Sequence, residues 1–66
     1  MKVVVNGAAR EVPAGFTAAD AVRLITENAR GVAVAVNGEV VTRSAWGSVT
    51  LSDGDRVEVL TAVQGG

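Results

Sequence analysis

Residues 17–29 carry the helical pattern of this chain, and valine-rich segments lie on both sides of them. Thr17-Ala18-Ala19-Asp20 has the spacing of a capping box, which predicts that a helix begins at Thr17. Beyond it the apolar residues recur at intervals of three and four, which gives one apolar face: Ala18, Ala21, Val22, Ile25 and Ala29. Gly31 is the expected C-terminal cap. A single amphipathic helix must bury its apolar face against another element, so the flanking segments are expected to form a sheet.

Short segments on both sides of the helix predict strands over residues 2–5, 9–12, 32–36, 39–42 and 56–61. Residues 9–12 are predicted as the strand that returns after the Asn6-Gly7 turn, and the other four segments are rich in β-branched residues. Asn6-Gly7 and Asn37-Gly38 are dipeptides that favour tight hairpin turns, and turn geometry explains this pair better than a duplication does. Residues 32–36 alternate Val with Ala and contain no polar side chain, which is typical of a strand inside a sheet. In the last strand Val57 and Val59 share one face, while Glu58 and Leu60 take the other.

This order of elements predicts an α+β fold of the β-grasp (ubiquitin-like) type, with a mixed sheet of four or five strands packed on one helix. The first and last strands are expected to be parallel neighbours, because both can then place their valines on the helix. Trp46 is interpreted as an anchor for an irregular or helical turn at 43–47 rather than as a ligand contact. Residues 1–61 are expected to form the β-grasp domain, and residues 62–66 a flexible tail.

Composition excludes several classes of function. The 66 residues include no Cys, His or Tyr, so the usual nucleophiles and acid-base groups are scarce, and we expect no enzyme and no bound cofactor or metal. A chain this short buries only about 60 % of its unfolded surface, which leaves no room for a deep cavity. The six basic and seven acidic residues are scattered, which argues against nucleic-acid binding. With no signal-peptide or membrane-span pattern, a cytoplasmic protein that is monomeric when free is expected.

The last five residues, Ala62-Val63-Gln64-Gly65-Gly66, form the candidate functional segment. Two glycines can lie extended in a channel that is too narrow for side chains, which would bring the Gly66 carboxylate to a partner's buried site. Five extended residues span roughly 17 Å. The competing interpretation is a frayed end, because glycine is common in disordered termini.

The pattern as a whole resembles the ubiquitin-like sulfur carriers, and in particular those of thiamine biosynthesis. The match lies in Val34-Ala35-Val36-Asn37, Val40-Val41-Thr42-Arg43, Trp46, Leu51, Asp53-Gly54-Asp55-Arg56-Val57-Glu58-Val59 and Ala62-Val63-Gln64-Gly65-Gly66. These residues span about half of the chain, and the ordered set is more specific than any one motif. This sequence departs from the family at Thr42, where proline often precedes the arginine. The departure concerns the local turn and not the function. The small subunit of molybdopterin synthase, a related carrier, is usually longer.

The resemblance implies a chemical role for Gly66. An adenylating enzyme of the ThiF type, using ATP and Mg, would join the Gly66 carboxylate to AMP. A cysteine-derived persulfide would then displace AMP, and the resulting thiocarboxylate would deliver sulfur to thiazole synthase. Gly65 would clear the channel, Ala62, Val63 and Gln64 would set the register by backbone pairing, and Leu60 is a candidate docking contact.

Three alternatives remain at this point. The chain could serve molybdopterin synthesis or another sulfur-transfer pathway, or act as a ubiquitin-like protein modifier, which would leave isopeptide conjugates on lysines. A passive binding module would need neither terminal glycine.

Overall fold

The computed structural model describes residues 1–61, and these residues form one five-stranded sheet with a helix against one face. The strands are β1 (Lys2–Val5), β2 (Ala8–Glu11), β3 (Ala33–Val36), β4 (Glu39–Val41) and β5 (Arg56–Leu60), and the helix is α1 (Ala18–Ile25). A 3₁₀ helix, Arg43–Ser48, connects β4 to the segment before β5. This is the predicted α+β architecture. The predicted tail, residues 62–66, lies outside the described residues.

The sheet is mixed, with the strand order β2-β1-β5-β3-β4. β5 lies in its centre and runs parallel to β1, with Val57 opposite Val5, which confirms the predicted pairing of first and last strands. On its other side β5 runs antiparallel to β3, with Val59 opposite Val34. β3 is therefore an internal strand, as its unbroken apolar sequence predicted.

Both Asn-Gly dipeptides form the predicted tight turns. Asn6 and Gly7 have φ angles of 50° and 82°, and Asn37 and Gly38 have φ angles of 50° and 84°. Positive φ at both central residues matches the right-handed twist of the strands that such a turn joins. The two turns connect β1 to β2 and β3 to β4.

The core lies between α1 and the sheet and is built mainly from valine. Val3, Val5, Val34 and Val57 are its largest fully buried side chains, and Ala18, Ala21 and Val22 line the buried side of α1. Trp46 is only 6 % exposed, and its indole Nε1 donates a hydrogen bond to the Val41 carbonyl at 3.0 Å. Trp46 therefore has the structural role predicted for it. Ile25 lies at the margin of the core and is half-buried, so Val22 carries more of the helix contact than Ile25 does.

The helix begins as predicted and ends earlier than predicted. At its start the Asp20 N–H donates to the Thr17 hydroxyl at 3.2 Å and the Thr17 N–H donates to the Asp20 carboxylate at 2.9 Å, which completes the capping box. The helix ends at Ile25, and Thr26 in extended conformation is its C-cap, whereas continuation to Ala29 was expected.

Side-chain hydrogen bonds explain the early end of the helix. The Asn28 N–H donates to the Thr26 hydroxyl at 3.1 Å, and the Arg30 N–H donates to the Asn28 side-chain oxygen at 3.0 Å. Such local bonds compete with helical hydrogen bonds. The expectation that Gly31 caps the helix was therefore wrong. Gly31, with φ of 71°, lies in the turn that leads into β3.

Candidate functional site

β5 is the element that leads to the predicted reactive segment, so the candidate site is built around it. Its burial alternates as predicted, with Val57 and Val59 buried against the helix side and Arg56, Glu58 and Leu60 exposed on the opposite side. Thr61 follows Leu60 and is exposed, and residues 62–66 come next in the sequence. The core thus holds β5 through its two valines while the other face of the strand remains open.

Leu60 is 67 % exposed and lies on the sheet face that is turned away from α1. Its cross-strand partner is Ala33 of β3, and Ala35 of the same strand pairs with Glu58 on one side and Val40 of β4 on the other. Residues paired across strands share a face, so these side chains form one surface. We call Leu60, Ala33, Ala35 and Val40 the open-face strip.

The open-face strip exposes two large apolar side chains, Leu60 and Val40. Val40 is 79 % exposed, and two of the other three members are alanines, which project little above the sheet. Leu60 and Val40 therefore stand out at opposite ends of a shallow apolar surface that has Arg56 and Glu58 beside it. A contiguous exposed apolar surface with a polar rim can mark a site where another protein binds, so the strip is a candidate docking surface.

Within residues 1–61 there is no cluster of three or more side chains that could hold a metal ion. The pKa of the Asp20 carboxyl is lowered, chiefly because the Thr17 backbone N–H donates to it and further because the Arg23 guanidinium lies 2.9 Å away. Asp20 belongs to the helix cap, so this shift reflects a structural contact. A shallow polar depression lined by Asn37, Gly38, Gly54, Arg56 and Glu58 lies at the start of β5, away from Thr61.

Of the residues predicted to act, the structure describes Leu60 and places it on the open face. Ala62, Val63, Gln64, Gly65 and Gly66 lie outside the described residues, so their roles remain predictions. No helix in residues 1–61 has both the length and the apolar character needed to cross a membrane.

Sequence reasoning missed the side chains of the two turn asparagines. Asn6 and Asn37 were treated as residues that tolerate positive φ, yet each also forms hydrogen bonds to β5 through its amide. Asp-Gly would make an equally good turn, so the presence of Asn at both positions was the available signal. An amide offers both a donor and an acceptor, and a carboxylate offers acceptors only.

The arrangement of strands and helix defines a ubiquitin-like β-grasp protein with an open sheet face. Residues 3–66 match the model of the ThiS family. The match covers nearly the whole sequence, and the chain belongs to the ThiS family.

Individual relatives agree with this assignment. The chain is 27 % identical to the Escherichia coli sulfur carrier protein ThiS over the full length of both proteins. The chain is also 35 % identical to a segment of a thiazole synthase of Paramagnetospirillum magneticum. This alignment includes all of the present chain but only 20 % of the thiazole synthase. The crystal structure of a thiamine biosynthesis protein (ThiS) from Geobacter metallireducens superposes with a TM-score of 0.76 at 35 % identity and covers 100 % of both chains. The solution structure from the same organism gives a TM-score of 0.72.

Proposed function

We propose that this chain is a sulfur carrier of thiamine biosynthesis, in which the Gly66 carboxylate is adenylylated, converted to a thiocarboxylate and used to supply sulfur for thiazole formation. The observation that carries the proposal is the family match, which runs through residue 66 and therefore includes Gly65-Gly66. The full-length similarity to a protein named a sulfur carrier supports the same role.

The chemistry begins with activation of Gly66. A terminal carboxyl has a pKa of about 3.3 to 3.7, so at neutral pH it is an anion and a poor electrophile. A carboxylate oxygen attacks the α-phosphorus of ATP, pyrophosphate leaves, and an acyl-adenylate forms. The proposal therefore needs a free carboxylate on Gly66 and a partner enzyme, of the ThiF type, that binds ATP and Mg. This chain acts as the co-substrate of that enzyme.

Sulfur then replaces oxygen in two steps. The terminal sulfur of a cysteine persulfide attacks the acyl carbon and AMP leaves, which gives an acyl disulfide. A second thiol attacks the inner sulfur, so the S–S bond breaks, the two thiols become a disulfide and Gly66 keeps one sulfur as a thiocarboxylate. The chain contains no Cys, so it offers no thiol of its own to divert the persulfide.

Thiazole synthase is the proposed acceptor of the sulfur. A protein named thiazole synthase contains a segment 35 % identical to this chain, and such a joined arrangement supports a functional link between carrier and synthase. Because the adenylating partner uses ATP, we place the carrier in the cytoplasm.

Docking is proposed to use the open-face strip, with Leu60 as its anchor and residues 62–66 entering the partner's active site. Leu60→Ala should weaken binding to the adenylating enzyme or to thiazole synthase by more than about 1 kcal/mol, because buried apolar anchors dominate such interfaces. Its stability should change little, since Leu60 is already 67 % exposed. Leu24→Ala is the matched control, because Leu24 is 43 % exposed and lies on the helix. Equal losses of binding in the two variants would exclude the strip as the docking site.

Intact mass tests the chemical proposal. The 66-residue chain is incubated with ATP, Mg, a ThiF-type enzyme and a persulfide-loaded desulfurase. The mass should rise by the difference between one sulfur and one oxygen atom, and fragmentation should place the gain on Gly66. A variant with one residue appended after Gly66 should show no gain, while its melting temperature stays unchanged.

The other outcomes separate the alternatives. A ladder of isopeptide-linked species would indicate a protein modifier. A sulfur gain followed by delivery to a molybdopterin precursor, but not to thiazole synthase, would move the carrier to another pathway. No gain with an enzyme that is active on an authentic carrier would refute the proposal.

A further inference from the structure

The Asn6 side chain continues the pairing of β5 after β1 has turned away. The last paired residues of β1 and β5 are Val5 and Val57, and the Asn6 N–H then donates to the Val57 carbonyl at 2.9 Å. Beyond that point the chain reverses into β2. The Asn6 amide nitrogen donates to the Val59 carbonyl at 3.1 Å, and the Val59 N–H donates to the Asn6 side-chain oxygen at 2.7 Å.

These two bonds replace the backbone hydrogen bonds that a longer β1 would make to Val59. The backbone groups of Val59 point toward the β1 side of the sheet, where β1 itself has ended. An amide carries one acceptor and one donor group in a fixed relation, as a peptide unit does, so it can satisfy both backbone groups of Val59. Without it, the Val59 N–H and carbonyl would lose their partners in a partly buried position, which is costly.

Asn37 makes related contacts at the opposite end of β5. The Arg56 N–H donates to its side-chain oxygen at 3.0 Å, and its amide nitrogen donates to the Asp55 carboxylate, just before β5, at 3.0 Å. Its backbone N–H donates to the Arg56 carbonyl at 2.7 Å, as the Asn6 N–H does to Val57. The two asparagines thus have the same φ and each makes two side-chain bonds, but Asn6 holds the end of β5 next to the reactive segment.

We propose that Asn6 is a positioning residue for Gly66: its amide fixes the end of β5, and so sets the point from which residues 62–66 extend into a partner. The proposal rests on the proposed function. On the β3 side Leu60 is held by pairing with Ala33, so Val59 and Leu60 are the last residues anchored from the two sides. Five extended residues beyond Thr61 span roughly 17 Å. Loss of the Asn6 contact would leave Val59 and Leu60 held from the β3 side alone.

Loss of the Asn6 contact should affect binding of the carrier to its partner enzyme, not the reaction at Gly66. With pairing on one side only, the end of β5 fluctuates more and must be ordered again when the chain binds its partner; ordering one residue costs about tenfold in affinity. Once the segment is bound, Gly66 meets the same groups as before. A weakened anchor should therefore raise the KM for the carrier and leave kcat unchanged.

Asn6→Gly and Asn37→Gly form a matched pair for the test. Glycine keeps the positive φ of both turns, so each variant loses only the side-chain bonds. ATP–pyrophosphate exchange by a ThiF-type enzyme is measured against carrier concentration, and amide exchange at Val59 is measured by NMR. We expect Asn6→Gly to raise KM about tenfold and to speed Val59 exchange, while Asn37→Gly changes neither. Asn6→Asp keeps the acceptor and loses the donor, so an intermediate effect is expected; it serves as the readout if Asn6→Gly does not fold.

Two results would overturn the proposal. Equal KM values for Asn6→Gly and Asn37→Gly would show that the Asn6 amide has no special relation to the reaction, and an effect on kcat alone would contradict a role in docking. Unchanged exchange at Val59 would show that the amide does not anchor β5. If the unaltered chain supports no exchange with an enzyme active on an authentic carrier, the proposed function fails, and that result differs from a failure of the Asn6 variants alone.

Discussion

Replacement of Thr17 by Ala tests the feature that positions α1 on the sheet. The substitution removes the hydroxyl that accepts the Asp20 N–H at 3.2 Å and leaves the reciprocal bond, from the Thr17 N–H to the Asp20 carboxylate, in place. The backbone bond from Ala18 to the Val49 carbonyl also remains. The variant therefore isolates one half of the capping box.

The expected loss is about 1 kcal/mol of unfolding free energy, the typical value for a Thr N-cap. The helix has 8 residues, and helices this short are not stable alone, so the loss should appear in global stability. For a domain of this size, about 1 kcal/mol corresponds to a fall in melting temperature of about 4 to 8 °C.

Urea unfolding followed by Trp46 fluorescence measures this loss, because Trp46 is buried against the core that α1 covers. Thr17→Ser is the control: it keeps the hydroxyl and should retain most of the stability. A loss below about 0.3 kcal/mol in Thr17→Ala, or an equal loss in Thr17→Ser, would refute the role of the hydroxyl as the cap.

Three further predictions concern the folded domain. The folded pKa of Asp20 lies below its ordinary value of 3.8, so its contribution to stability is complete above pH 3.8 and is lost as pH falls through the folded pKa. Asp20→Asn should therefore be less stable than the unaltered chain at neutral pH, and the difference in urea midpoints should shrink in acid; a difference independent of pH would contradict this. Val22→Ala should lower the free energy of unfolding by about 2 kcal/mol. This loss should exceed that of Ile25→Ala, although fewer carbons are removed, because Val22 is buried and Ile25 is only half-buried. The reverse order in urea titrations would place Ile25 in the core. Trp46→Phe should lower the free energy of unfolding by about 1 to 3 kcal/mol, because the Val41 carbonyl loses its donor. Thermal unfolding followed by circular dichroism measures this loss, and an unchanged melting temperature would show that the bond is dispensable.

The sequence alone was sufficient to predict the architecture of the domain. Its information is local: Asn-Gly specifies a turn, Thr17 with Asp20 specifies a helix start, and the alternation of valines specifies which face of a strand is buried. The parallel pairing of β1 and β5 followed because both strands must place their valines on one helix. Gly65-Gly66 and the family pattern likewise identified the segment proposed to react.

Tertiary structure decided the features that depend on contacts between distant residues. Asn6 and Val59 are 53 positions apart, so only folding shows that a turn residue completes the pairing of the last strand. The early end of the helix also depends on tertiary structure. The apolar periodicity continues to Ala29, but Thr26 and Asn28 form local hydrogen bonds that compete with the helix. Val32 then leads into β3, which is held between β4 and β5. Alternation within β5 indicates the face of Leu60, but that Leu60 and Val40 belong to one surface follows from the pairing of β3 with both β5 and β4, which the pattern within a single strand does not specify.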